Sequence, residues 1–190
     1  MYKVISKIAL PLLLWMLLLF PATAQTSIVS NTATTTLTLG VTEVSLLRLT
    51  DGVINLQLNQ RDAGLSLETS KSDSTARLLI SSVISNSPRV LTAKISAGTV
   101  PTGSHLELVA ILPNQNFVGS IGTLASPISL DGTDKPFVTE IATCYSGTGS
   151  TDGYPLKFTY ALDMNASSYG NLRATMGTQV IVMFTLTAAQ

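Results

Sequence analysis

The sequence predicts an all-β protein, an antiparallel β-sandwich of roughly nine or ten strands. Three observations carry this. Apolar residues recur at every second position in segment after segment, which is the period of a half-buried strand. Turn-forming clusters divide those segments at Asp51-Gly52, Asn86-Ser87-Pro88, Gly98 to Gly103 and Gly147 to Gly153. Almost nothing stands at helical spacing, so no helices are available for the crossovers of a parallel sheet.

Taken in order, Leu37, Leu39 and Val41 alternate with Thr36, Thr38 and Gly40, and the Thr-rich stretch suits an extended strand. A strand is predicted at Val44–Leu49. Ile54, Leu56 and Leu58 then face one way, with Asn55, Gln57 and Asn59 facing the other. The polar, mixed stretch from Asn59 to Ser74 reads as a long loop or a loosely attached edge. Strands follow at Arg77–Ile84 and Val90–Ile95, and Leu106, Leu108, Ala110 and Leu112 share a face after His105. From Asn114 to Ser129, Gly119, Gly122 and Pro127 interrupt the pattern, and the chain is expected to wander before rejoining a sheet at Phe137–Tyr145. The clearest rows come last: Leu156, Phe158, Tyr160 and Leu162, then Val180, Val182, Phe184 and Leu186. A slip of one residue would turn each row to solvent, so the pattern specifies register strongly.

The first twenty-four residues read as a targeting segment. Lys3 and Lys7 precede an apolar run from Ile8 to Phe20, and Ala22-Thr23-Ala24 supplies a small-residue cleavage site before Gln25. The run is thirteen residues long and contains Pro11, short of the roughly 20 needed to span a bilayer. The expected organisation is a signal peptide at 1–24 and a single β-sandwich domain at 25–190, exported to the periplasm, the cell surface or the medium. No membrane partner is expected after cleavage.

The full chain carries 11 basic and 11 acidic residues, so losing Lys3 and Lys7 leaves 9 against 11, a net charge of −2. That balance argues against nucleic acid as a partner, since phosphate binding needs a concentrated basic patch. Cys144 is the single cysteine, so no internal disulfide forms; its thiol is either buried or able to join two chains.

Chemistry-bearing patterns are sparse. A catalytic triad would have to use His105, the single histidine, as its base. Gly149-Ser150-Thr151-Asp152-Gly153 has the wrong spacing for a nucleophile elbow. One His and one Cys cannot make a zinc or copper site. Calcium takes oxygen ligands from loops, yet Asp131-Gly132-Thr133-Asp134, Asp152 and Asp163 match no calcium-loop spacing. Glu43, Glu68, Glu107 and Glu140 have the settings of polar strand faces rather than of a carboxylate pair. No catalytic, cofactor-binding or metal residue is assigned, and the chain is read as non-enzymatic and without a cofactor. Tyr145, Tyr154 and Tyr169 fall in or beside predicted loops and are candidates for a ligand platform, on which sugars could stack.

The C-terminal segment resembles a known family. Gly177 stands fourteenth from the C-terminus, and the alternating row Val180, Val182, Phe184 and Leu186 follows it, which is similar to the closing strand of bacterial chaperone–usher fimbrial subunits. Cys144-Tyr145-Ser146-Gly147-Thr148-Gly149 and Gly153-Tyr154-Pro155-Leu156-Lys157-Phe158-Thr159-Tyr160 resemble segments of small exported proteins of Gram-negative bacteria. The fimbrial resemblance implies an immunoglobulin-like or pilin-like sandwich completed by a strand from another subunit. On it, Leu37, Leu39 and Val41 are donor knobs, while Val180, Val182 and Phe184 lie on the strand beside the acceptor groove. Ala189 replaces the penultimate aromatic usual in that family, and its usual disulfide is missing. The function expected is a structural or adhesive surface protein that joins other subunits, or itself, by strand addition. The alternative is a self-contained binding module for glycans or a surface protein, using Tyr145, Tyr154 and Tyr169.

Overall fold

The computed structural model describes residues 32, 34–60, 62–113, 116–163, 165, 169–175 and 177–189. The expected signal peptide, residues 1–24, lies outside them. The chain divides into two compact units, residues 1–40 and residues 41–190. In the first unit, residues 34–40 carry no strand and are exposed.

The second unit is all-β. Its strands are β1 (Val44–Leu49), β2 (Ser70–Asp73), β3 (Arg77–Val83), β4 (Arg89–Ala97), β5 (Ser104–Ala110), β6 (Val118–Gly119), β7 (Thr123–Leu124), β8 (Ile128–Ser129), β9 (Lys135–Ile141), β10 (Cys144–Tyr145), β11 (Tyr154–Leu162) and β12 (Ile181–Ala188). Every pairing is antiparallel. One sheet runs β6-β10-β3-β11-β5-β8, with β1 against β3 and β2 against β11, and the other runs β12-β4-β9-β7. Both sheets turn alternate side chains into one core: Leu78 and Ile80 from β3, Leu91 and Ala93 from β4, Leu108 from β5, Ile141 from β9, and Leu156 and Phe158 from β11. Removing each of the larger side chains from water contributes about 1.5–3 kcal/mol.

The predicted rows of β11 and β12 hold, and Val44–Leu49 is a strand with the predicted bounds. Other expectations need correction. Phe137–Tyr145 is two strands, not one. β9 lies in the four-stranded sheet, β10 in the other, and the chain passes between them at Ala142 and Thr143. Its partner crosses with it. From Gly119 to Thr123 is four steps, from Cys144 back to Thr139 is five, so one extra residue is accommodated on the β9–β10 side. Glu140 sits there with φ of +57°. That is how a bulge lets a strand turn a sandwich corner and change sheets. The predicted wandering of 114–129 thus becomes three two-residue strands, β6, β7 and β8, each pairing with a different strand: β10, β9 and β5.

Ile54, Leu56 and Leu58 are half-buried between exposed Asn55, Gln57 and Asn59, so the alternation is real, but no ladder forms there. The chain is paired on either side of this stretch, at Thr50 N–H to Arg77 O and at Glu68 N–H to Asn59 O. The strand opposite is bent. Three steps along β11, from Phe158 to Pro155, match four from Asp73 to Arg77, so a bulge separates β2 from β3. Asp73 caps it by accepting hydrogen bonds from the Thr75 backbone N–H and hydroxyl. Leu37–Val41 likewise forms no strand, and Leu112 lies beyond the end of β5 and is exposed.

Candidate functional site

The two sheets meet well over most of the molecule and poorly along one edge. β1 ends the larger sheet on that side, and β12 ends the smaller one. On β1, Leu47 stands opposite Ile80 and Leu49 opposite Leu78, so both face the core, as does Ser45 opposite Ser82. On β12, Val182, Phe184 and Leu186 face it and pack against its rim, with Val180 half-buried just before the strand. Phe184 meets Phe137 and Phe158 edge to face, at centroid distances of 5.9 and 6.4 Å. None of these inward residues of β1 or β12 is fully buried, whereas Leu78, Leu91, Leu108 and Leu156 on inner strands are. The seam between β1 and β12 is therefore open to solvent.

Backbone pairing stops there too. The side of β12 turned away from β4 pairs with no strand among the described residues. Over eight residues it presents an edge about 24 Å long, at the rise per residue of an antiparallel strand. One end of the seam is tied. Ser45 Oγ donates to Leu186 O at 3.5 Å, and Arg89, at the start of β4, reaches Glu43 and Val44. At that end Ala189 N–H also bonds Pro88 O.

The predicted donor knobs are exposed: Leu37 by 76%, Leu39 and Val41 by 88% each. Their spacing of two residues matches that of Val182, Phe184 and Leu186 on the seam.

The three candidate tyrosines do not come together. Tyr154 is a correction: it opens β11 with no exposed surface, and its hydroxyl donates to Ile121 O. Burial, with the neighbouring Cys144 second, raises its pKa. Tyr169 is 39% exposed and its hydroxyl accepts the Leu67 N–H, beyond the opposite end of β11 from Tyr154. That strand is nine residues long, so about 27 Å separates its two ends. Tyr145 is 53% exposed, on the outer face of β10. It stands in one cross-strand row with Val118 of β6, Ser81 of β3 and Leu46 of β1.

Other chemistry-bearing groups are engaged structurally. His105 Nδ1 is 2.7 Å from Asp163 Oδ1, and its Nε2 faces Glu107 Oε1 at 3.7 Å, so the imidazole lies between two carboxylates rather than beside a hydroxyl nucleophile. Asp131 bonds Lys135 and Thr133, which hold its carboxyl below the ordinary range, and Asp134 bonds Lys94. Asp152 accepts from the Asn116 amide and from Gly149 N–H, in that order of effect on its lowered pKa, and so closes the 147–153 turn. Among the described residues no three His, Cys, Asp or Glu side chains are grouped to hold a metal ion. The Cys144 thiol is buried, and that burial pushes its pKa up to about 11.

Sequence reasoning missed the tie at the end of the seam. Arg89 and Glu43 are 46 residues apart, and no local pattern marks the pair. No family model, curated protein or solved structure matches the chain.

Proposed function

We infer that this chain is an exported, non-enzymatic structural or adhesive subunit that acts at the bacterial surface or in the periplasm and assembles by strand addition. The observation that carries the reading is the open seam. An eight-residue edge strand, with one side unpaired among the described residues, borders inward apolar residues that are only half covered. An extended segment laid there would gain a backbone ladder and cover Val182, Phe184 and Leu186 in one step. Left open, such an edge is an aggregation hazard, which favours a dedicated partner. Leu37, Leu39 and Val41 have the right period, and their exposure leaves them free to reach a neighbour.

The pilin-like reading rests on two layers and an open edge, not on strand order. In immunoglobulin sandwiches the fifth of seven strands stands between the second and fourth, and the sixth is central in the other sheet. Here, among the seven strands of six residues or more, β11, the sixth, stands between β3 and β5, and β4, the third, is central. Export rests on the signal-like first twenty-four residues.

The test is the mass in solution of the chain from Gln25 to Gln190, by light scattering on a sizing column. Oligomers that persist in reductant and vanish when residues 25–41 are deleted are the expected result. A monomer at every concentration overturns it, and would move the work to the Val118–Tyr145–Leu46 row and a glycan or protein ligand.

A further inference from the structure

The register of β12 on β4 fixes which backbone groups its free side offers. Ala189 N–H bonds Pro88 O. That pair continues the ladder in which Ala188 stands opposite Arg89 and Thr187 opposite Val90. Bonded and non-bonded pairs alternate along an antiparallel ladder. Thr187, Thr185 and Met183 therefore bond β4, while Leu186, Phe184 and Val182 turn their N–H and C=O groups to the free side. Two other contacts agree. Ile95, opposite Val182, sends its N–H away to Asp131 O, and Leu186 O accepts the Ser45 hydroxyl from β1. The edge thus offers its backbone groups at the same residues that line the seam, Val182, Phe184 and Leu186.

Ser45 is placed to use one of those groups. It faces inward from β1, in one cross-strand row with Ser82 and Cys144, yet it is exposed at the mouth of the seam. Leu47 and Leu49, the next inward residues of β1, carry no side-chain donor. At 3.5 Å the contact from Ser45 Oγ to Leu186 O is long for a hydroxyl bond, so it yields easily.

We propose that Ser45 is a displaceable cap on the edge of β12: its hydroxyl stands in at Leu186 O for the N–H of an added strand. The proposal rests on the strand-addition reading and adds a regulating contact to it. An added strand in either direction donates an N–H to Leu186 O, and its inward side chains enter between β1 and β12. A closed cap opposes both, because it takes the acceptor and holds the two edges together. It also makes the edge a poorer template for non-specific pairing. If the cap is closed about two-thirds of the time, a third of the edges are ready, and the apparent dissociation constant of assembly is about threefold higher than without it.

The experiment compares the chain from Gln25 to Gln190 with Ser45→Ala, Ser45→Val and Ser45→Thr. Threonine and valine are close in shape and differ in the hydroxyl, and the position is exposed on a strand, so all three variants fold. Two readouts are taken: the monomer–oligomer dissociation constant by light scattering, and the carbon-13 chemical shift of the Leu186 carbonyl in the monomer. The alanine and valine variants should assemble about threefold more tightly, with that carbonyl shifted, while the threonine variant matches the wild type in both. Alanine assembling like the wild type overturns the cap, even if valine assembles more tightly, because added apolar surface then accounts for valine. Threonine assembling as tightly as valine overturns it, as does a Leu186 carbonyl unmoved in the alanine variant. A wild-type chain that never assembles overturns the strand-addition reading instead, so the two failures are distinct.

Discussion

β11 and β12 are nearly the same strand in sequence and quite different strands in place. Each carries an inward apolar row, Leu156, Phe158, Tyr160 and Leu162 in one, Val182, Phe184 and Leu186 in the other, although β12 also sets Ile181 and Met183 on its outer face. β11 has β5 on one side and β2 and β3 on the other, and Leu156, Phe158 and Leu162 are buried. Among the described residues β12 has β4 on one side only, and its inward residues stay half-buried. Period-two alternation thus reports which face of a strand meets the core, and says nothing about whether its edges are paired. Burial on a face needs both, since a neighbour on each side is what closes the rim.

That difference predicts unequal costs for the same truncation. Phe158→Ala should lower unfolding free energy by about 4 kcal/mol, within the range for a large aromatic removed from a core that cannot collapse around the gap. Phe184→Ala should cost about half as much, because part of that ring already meets water and the rim can relax. Urea unfolding of both variants measures this. Equal losses would mean that the seam is as closed as the centre. Phe184→Ala removes two edge-to-face ring contacts and Phe158→Ala one, each worth about 0.5–1.5 kcal/mol, so aromatic pairing works against the expected contrast, which comes from burial.

Tyr154→Phe probes the closed region with a smaller change. The ring stays and the hydroxyl goes, leaving Ile121 O without its donor. Its expected cost is about 1–2 kcal/mol, the range for losing one buried hydrogen bond. A neutral result would show that solvent reaches Ile121 O, and would put the corner formed by β9 and β10 among the loose parts of the fold.

Most of the layered architecture was legible, because a half-buried strand writes its period into the chain. β1, β3, β4, β11 and β12 could be placed to within two or three residues. What failed depended on neighbours. Tyr154 follows Gly153, and that turn signal suggested a loop, yet it lies in step with Leu156 and Phe158 and its parity already pointed inward. Gly153 is itself needed there: its φ is +78°, and a Cβ would overlap Leu78 O. Ile54–Leu58 showed the right alternation without a ladder, because the bulge between β2 and β3 lies on the opposing strand and leaves no local trace. The break between β9 and β10 turns on Glu140 at positive φ, a conformation that a non-glycine residue does not announce. The C-terminal alternation gave the inward face of β12 but not its unpaired edge, and the Arg89–Glu43 tie was invisible because long-range ion pairs have no sequence period.

The smallest expected effect is also the sharpest discriminator between edge and centre. Ile181 begins β12 on the face away from the core and is 59% exposed. A lysine there keeps its stem along the sheet and its charge in water. Ile181→Lys should change unfolding free energy by no more than about 0.5 kcal/mol, as for other surface positions free of special contacts. Lysines on edge strands also oppose non-specific pairing of exposed edges. If β12 is reserved for one alternating segment, this variant should resist heat-induced aggregation while its specific assembly through residues 36–41 is retained. A loss of more than 1–2 kcal/mol would show that Ile181 is covered in solution. The outer side of β12 would then be no free edge, and its contrast with β11 would shrink to the difference in burial alone.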